Sequence, residues 1–201
     1  MSMQSPFRHF IVALPSLAAV ACASAPEHLY TLETAYPRPA ARAVDAAVVV
    51  VGPISVPELI DRPQLVVHDG DYTIVISEQE RWAAPLKESL PRVLAAELDK
   101  QSQHMRFLAA SSVPVATPSA HLVIDITSLD ISRDRGVTVL AQWAYRPLTN
   151  STKPIERVSE VHTDVTAPGY AGFAEGVRRA TVALADSIAA ELPASISTDR
   201  L

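Results

Sequence analysis

The sequence predicts a single α/β domain: a mixed, mostly antiparallel β-sheet with two long helices packed on one face. Three observations predict it. Short β-rich runs separated by turn residues fill most of the chain, and two stretches carry an apolar stripe at helical spacing. The order strands, helix, strands, helix then places both helices on one side of one sheet. A length of 201 residues suits one domain, and 48% hydrophobic against 19% charged residues describe a chain able to bury a core. The formal net charge of -5 excludes the basic footprint of a nucleic-acid-binding protein.

The amino end is built differently from the rest. Arg8 and His9 precede an apolar run from Phe10 to Val20, and Ala19-Val20-Ala21-Cys22 closes it. A charged start, a short apolar core and small residues are the parts of an export signal. The run is about half of what a bilayer crossing needs. Cys22 is the only cysteine, which excludes an intrachain disulfide and a cysteine zinc site. Ala19 to Cys22 resembles a bacterial lipobox, so residues 1–21 are expected to be a lipoprotein signal peptide and Cys22 the acylated residue, palmitate included. An ordinary secretory peptide ending in A-x-A, with Cys22 incidental, is the alternative. Each buried methylene contributes about 0.8 kcal/mol, and two or more chains give stable anchoring. Ala23 follows the cysteine; an aspartate there would favour inner-membrane retention in enterobacterial lipoproteins, so the outer membrane is expected.

Residues 22–43 are expected to form a lipidated tether, with Pro26, Pro37 and Pro39 among alanines and polar residues. Within it Leu29 to Leu32 reads as a short edge strand. The domain proper is expected over 44–195, with a tail at 196–201. Ala46 to Val51 is a valine-rich strand of the kind buried on both faces, interrupted by Gly52-Pro53. Gln64 to His68 and Tyr72 to Ser77 flank Asp69-Gly70, a strong hairpin signal. Glu78 to Arg81 then reads as the approach to a helix. Leu86, Leu90, Val93, Leu94 and Leu98 give that helix its stripe. Pro85 fits its first turn, while Pro91 predicts a kink or a broken turn.

Phe107 to Val115 is expected as a strand. Leu122, Ile124 and Ile126 alternate with Val123, Asp125 and Thr127, and the phase slips to Leu129 and Ile131 as a bulge would produce. Asp134-Arg135-Gly136 turns the chain into an alternating strand from Val137 to Tyr145. Val158 to Val165 follows as another strand, and Gly169 to Leu192 as a second helix with Phe173, Val177, Thr181, Leu184 and Ile188 on its stripe.

Little in this chain carries chemistry. The six histidines are scattered, without an i, i+4 pair, and no metal ligand set is read from them. No G-x-S-x-G elbow occurs, and Ser111-Ser112 has no identifiable base. Gly172-x-x-x-Gly176 lies in the second helix and reads as close packing on the sheet or on another subunit. Glu78, Glu80 and Arg81 read as a helix entry with acidic residues near its positive end. Trp82 reads equally as a core anchor or an interface residue.

Two local patterns stand out: Leu59-Ile60-Asp61-Arg62-Pro63-Gln64 and Arg81-Trp82-Ala83-Ala84-Pro85-Leu86. Their spacing, with the run from Leu90 to Leu98, resembles the PqiC family, the auxiliary lipoprotein of ABC-type and MCE-type transport systems. An acidic residue often precedes the Pro-Leu of that pattern, where this chain has Ala84. The resemblance implies a non-enzymatic lipoprotein on the periplasmic face of the outer membrane. It also implies a homo-oligomeric ring and an MCE-domain, PqiB-like partner that carries lipid across the periplasm. No cofactor is expected beyond the lipid on Cys22. Leu59, Asp61, Arg62, Pro63, Arg81, Trp82, Pro85 and Leu86 are the candidate residues for fixing the fold or meeting a neighbour. The competing function is a stand-alone structural lipoprotein assisting outer-membrane assembly, and an envelope hydrolase is a third.

Overall fold

The computed structural model describes residues 25–33, 46–110, 117–148 and 153–193. The elements run β1 (His28–Tyr30), β2 (Ala47–Ser55), β3 (Gln64–His68), β4 (Ile74–Trp82), α1 (Leu86–Gln101), β5 (Met105–Ala109), β6 (Ala120–Ser132), β7 (Gly136–Pro147), β8 (Ile155–Thr163) and α2 (Gly169–Glu191). All eight strands join one sheet. Its path is β1-β4-β3-β6-β2-β5, with β7 and β8 added on the other side of β6.

The α/β class, the mixed sheet and the two helices are as the sequence predicts. The balance of pairing is not. β1–β4, β2–β5, β2–β6 and β3–β6 are parallel, and only β3–β4, β6–β7 and β7–β8 are antiparallel. Turn residues announce the antiparallel neighbours, because a tight turn joins them. The parallel neighbours need crossovers, here β3, β4 and α1 between β2 and β5, and no local residue pattern marks which strands those bring together.

One face of the sheet supplies most of the core. Val49 and Val51 of β2 line up with Phe107 and Ala109 of β5 on one side and with Ala120 and Leu122 of β6 on the other. Leu122 in turn opposes Tyr145 of β7. All are buried, and both helices lie across them. Val48 and Val50 point the other way and are half-buried, so β2 is not equally enclosed on its two faces. Gly52 takes φ +118 where the β2–β6 register shifts, so the strand continues through Gly52-Pro53 to Ser55. The phase slip in β6 is also a register shift, between Ile126 and Ser128.

Several boundaries differ from expectation: β1 covers His28–Tyr30 instead of Leu29 to Leu32, and β8 covers Ile155–Thr163 instead of Val158 to Val165. β4 does not end near Ser77 but runs to Trp82, because its second half gains partners in β1 and at Gln64. α1 runs unbroken through the buried Pro91, with Pro85 at its N-cap position instead of inside its first turn. β5 covers Met105–Ala109; the rest of the expected strand, 111–115, with Ser111-Ser112, lies outside the described residues.

α2 needs Gly172 and Gly176. A Cβ on Gly172 would sit 1.9 Å from the carbonyl oxygen of Ala167, and one on Gly176 would sit 2.9 Å from Cγ2 of Val137. The helix therefore approaches its own entry loop and β7 at backbone distance. Gly176 thus gives the close packing on the sheet that the spacing predicted, whereas Gly172 packs on the entry loop.

Candidate functional site: a corner where three segments meet

The two sequence patterns lie 18 residues apart between Gln64 and Trp82, yet they form one corner. The backbone N–H of Trp82 donates to the carbonyl of Pro63 at 2.7 Å, and Gln64 stands opposite Arg81 in the β3–β4 ladder. Lys87, in the first turn of α1, reaches Asp61 at 3.3 Å. The segment before Gln64 is itself a turn: Ile60 N–H donates to Pro57 O at 3.0 Å, and Asp61 N–H to the same oxygen at 3.1 Å. Proline suits Pro63 because the pattern uses its carbonyl and asks nothing of an N–H.

A third segment closes the corner. β1 pairs in parallel with β4, matching His28 with Glu80, Leu29 with Arg81 and Tyr30 with Trp82. The N–H of Ala83 then donates to Tyr30 O at 2.7 Å. Leu32 follows and is fully buried, and Glu33 holds Nε of Arg92 at 2.7 Å. The edge strand expected within the tether is thus part of the sheet.

The candidate side chains separate into two kinds. Trp82 and Leu86 are buried in the core, at 6% and 2% exposure. Pro85 offers its carbonyl to the N–H groups of Glu88 and Ser89. Leu59 is exposed at 40%, and Asp61 is also exposed. Arg81 directs Nε at Glu27, 2.9 Å away. Nε of Arg62 is buried without a hydrogen-bond partner among the described residues. Cys22 lies outside the described residues.

Glu78 and Glu80 do not serve a helix entry. Both lie on β4, while α1 begins at Leu86 and has Glu88 as the acidic residue of its first turn. Glu78 accepts from Gln64 Nε2 at 3.0 Å. Glu80 is shared: the Tyr30 hydroxyl donates to its Oε2 at 2.6 Å, and His28 Nδ1 lies 2.9 Å from Oε1. The Tyr30 hydrogen bond and then the His28 contact hold the Glu80 carboxyl below its ordinary range. Burial, followed by that same bond to Glu80, pushes the Tyr30 hydroxyl up to about 12.

Sequence reading missed this trio, since its members are 50 and 52 residues apart and only the β1–β4 register joins them. His162 and Asp164 are exposed, with Nε2 and Oδ1 3.5 Å apart. No group of three or more potential metal ligands occurs among the described residues. The chemistry of the corner is that of a joint: paired backbone, buried indole and ion pairs that fix where β1, β3, β4 and α1 meet.

The family follows from comparison: this chain belongs to the ABC-type transport auxiliary lipoprotein components, whose family model matches residues 30–189. This is the PqiC-like family that the two motifs resemble. No curated protein matches the chain. Among solved structures, a crystal structure of a protein described as uncharacterized has a TM-score of 0.69 at 19% identity, covering 84% of this chain and 100% of its own. A Xanthomonas campestris protein of family DUF330 has a TM-score of 0.59 at 16% identity, covering 81% of this chain and 92% of its own. At those identities the likeness speaks for the fold.

Proposed function

We propose that this chain is a non-enzymatic, lipid-anchored subunit of an MCE/ABC-type lipid transport system. In that role it docks a periplasm-spanning, PqiB-like MCE component to the periplasmic face of the outer membrane. The observation that carries the reading is the family match across residues 30–189. Removal of residues 1–21 would leave Cys22 as the acylated amino terminus.

The position of β1 adds a spatial consequence. Residues 23–27 alone separate Cys22 from His28, and an extended chain covers about 3.5 Å per residue, so the link spans roughly 20 Å at most. A lipid on Cys22 therefore brings the β1–β4 edge close to the membrane surface. The exposed Leu29 lies on that edge, and β8 lies at the opposite edge of the sheet.

The test is co-purification. Tagged full-length protein, crosslinked in its native envelope and extracted in mild detergent, is expected to bring down an MCE-domain protein. Leu59→Asp, at an exposed position of the corner, is expected to reduce that recovery without unfolding the domain. Recovery of outer-membrane assembly factors without an MCE protein would transfer the proposal to the stand-alone assembly role.

A further inference from the structure

Among the described residues β8 is an open edge of the sheet with a regular register. All nine of its residues pair with β7, from Tyr145↔Ile155 to Val137↔Thr163, without a register shift. It contains no proline and no bulge, two of the devices that blunt an edge, and relies on its charged side chains alone. In an antiparallel ladder alternate residues turn their N–H and C=O groups away from the neighbour. Among the described residues no second strand meets them.

Two carboxylates flank an apolar residue on one face of this edge. Glu156, Val158, Glu160 and His162 share the sheet face opposite the helices, and Val158 is 63% exposed. Neither Glu156 nor Glu160 has a cationic partner among the described residues. Arg157, on the other face, is engaged by Glu191 at 3.3 Å. The row continues inward, Val158 beside Gln142 and Asp125, and Glu156 beside Ala144 and Val123. These residues, with Arg146 and Arg157, border an open groove of about 600 Å³ on the sheet face across β6, β7 and the first half of β8.

We infer that the β8 edge receives an extended segment of a partner polypeptide as an additional strand. The segment carries Lys or Arg at two positions four residues apart and an apolar residue midway. The two carboxylates stand four residues apart on one face, so cations at the same spacing on an added strand would oppose them directly. An apolar residue between those cations would lie beside Val158 and extend its row. Strand addition draws affinity from the main chain and selectivity from alternate side chains. This inference does not depend on which transport component supplies the strand.

The test uses full-length protein and a fluorescent twelve-residue peptide with Lys-Thr-Val-Thr-Lys at its centre, read by anisotropy. An acidic counterpart has Glu in place of both Lys. The basic peptide is expected to bind at least roughly tenfold more tightly than the acidic one, and the double substitution Glu156→Lys/Glu160→Lys is expected to invert that preference. N-methylation of the alternate amides along one edge of the peptide is expected to abolish binding; methylation along the other edge is expected to leave it. Circular dichroism of the double variant separates lost binding from lost fold. Absence of saturable binding up to about 1 mM peptide, equal affinity of both proteins for both peptides, or indifference to methylation along either edge would each overturn the inference.

Discussion

The N–H of Trp82 donates to the carbonyl oxygen of Pro63 at 2.7 Å, and that bond makes one corner of two separate sequence patterns. The indole beyond it is buried at 6% exposure, so the same residue ties backbone and fills core. Trp82→Ala is expected to destabilise the domain by about 3–5 kcal/mol through the cavity it leaves. Urea unfolding followed by circular dichroism measures this, and a loss below about 1 kcal/mol would mean that the corner does not depend on the indole.

Glu80 gives the corner a pH dependence. Its folded-state pKa lies below the ordinary value because the Tyr30 hydroxyl and His28 favour the carboxylate. Their contribution is present above the ordinary carboxylate pKa and is lost as pH falls through the folded value. Tyr30→Phe should therefore narrow the stability difference between neutral and acidic pH, as read by thermal melts from pH 7 down to pH 3. An unchanged acid limb would contradict the assignment.

Tyr145 predicts the reverse of the usual polar deletion. It is fully buried beside Leu122, and its hydroxyl has no hydrogen-bond partner among the described residues. Burial pushes that hydroxyl up to about 12. A buried hydroxyl without a partner costs free energy, so Tyr145→Phe is expected to be neutral or stabilising by about 1 kcal/mol at pH 7. A raised tyrosine pKa contributes stability that is complete below about pH 10 and is lost as pH rises towards 12. The variant should accordingly resist alkaline unfolding in that window better than wild type. Destabilisation by more than about 1 kcal/mol at neutral pH would reveal a partner for the hydroxyl.

Ser159 is the converse case. Trp143 Nε1–H donates to Ser159 Oγ at 3.0 Å, and Ser187 Oγ lies 2.9 Å from the same oxygen, joining β7, β8 and α2. Ser159→Ala leaves the buried indole N–H unpaired and should cost about 1–3 kcal/mol in equilibrium unfolding. A neutral result would mean that water or Ser187 satisfies the indole instead.

Gly172→Ala is expected to cost at least about 1–3 kcal/mol, because its Cβ would collide with backbone and not with a flexible side chain. Leu192→Ala, at the other end of the same helix, provides a packing comparison of ordinary size. Thermal melting of both variants shows whether the approach of the helix to Ala167 limits the fold.

These residues also show what sequence could reveal. The stripe through Phe173, Val177, Leu184 and Ile188 placed α2 within a residue of its observed end, since an amphipathic period is a local property. The phase slip after Ile126 located a bulge for the same reason. Glu78-Gln79-Glu80-Arg81 misled because a polar run before a leucine stripe resembles a helix entry. Its strand character comes from β1, whose Tyr30 lies 50 residues away. The motif residues were visible as residues, but the bond from Trp82 to Pro63 and the Tyr30–Glu80–His28 trio belong to register. Parallel pairing between distant strands has no sequence period of its own.

The most direct test of the docking role is the distribution of the MCE component between membranes. Sucrose-gradient fractions from sheared envelopes would be compared for wild type, a strain lacking this chain, and a Cys22→Ala strain. Intact-mass measurement would report the acylation of Cys22 independently. The account predicts that a share of the MCE protein sediments with outer membrane in wild type and that this share disappears in both altered strains. An MCE protein distributed identically in all three, with Cys22 acylated in wild type, would contradict docking by this chain.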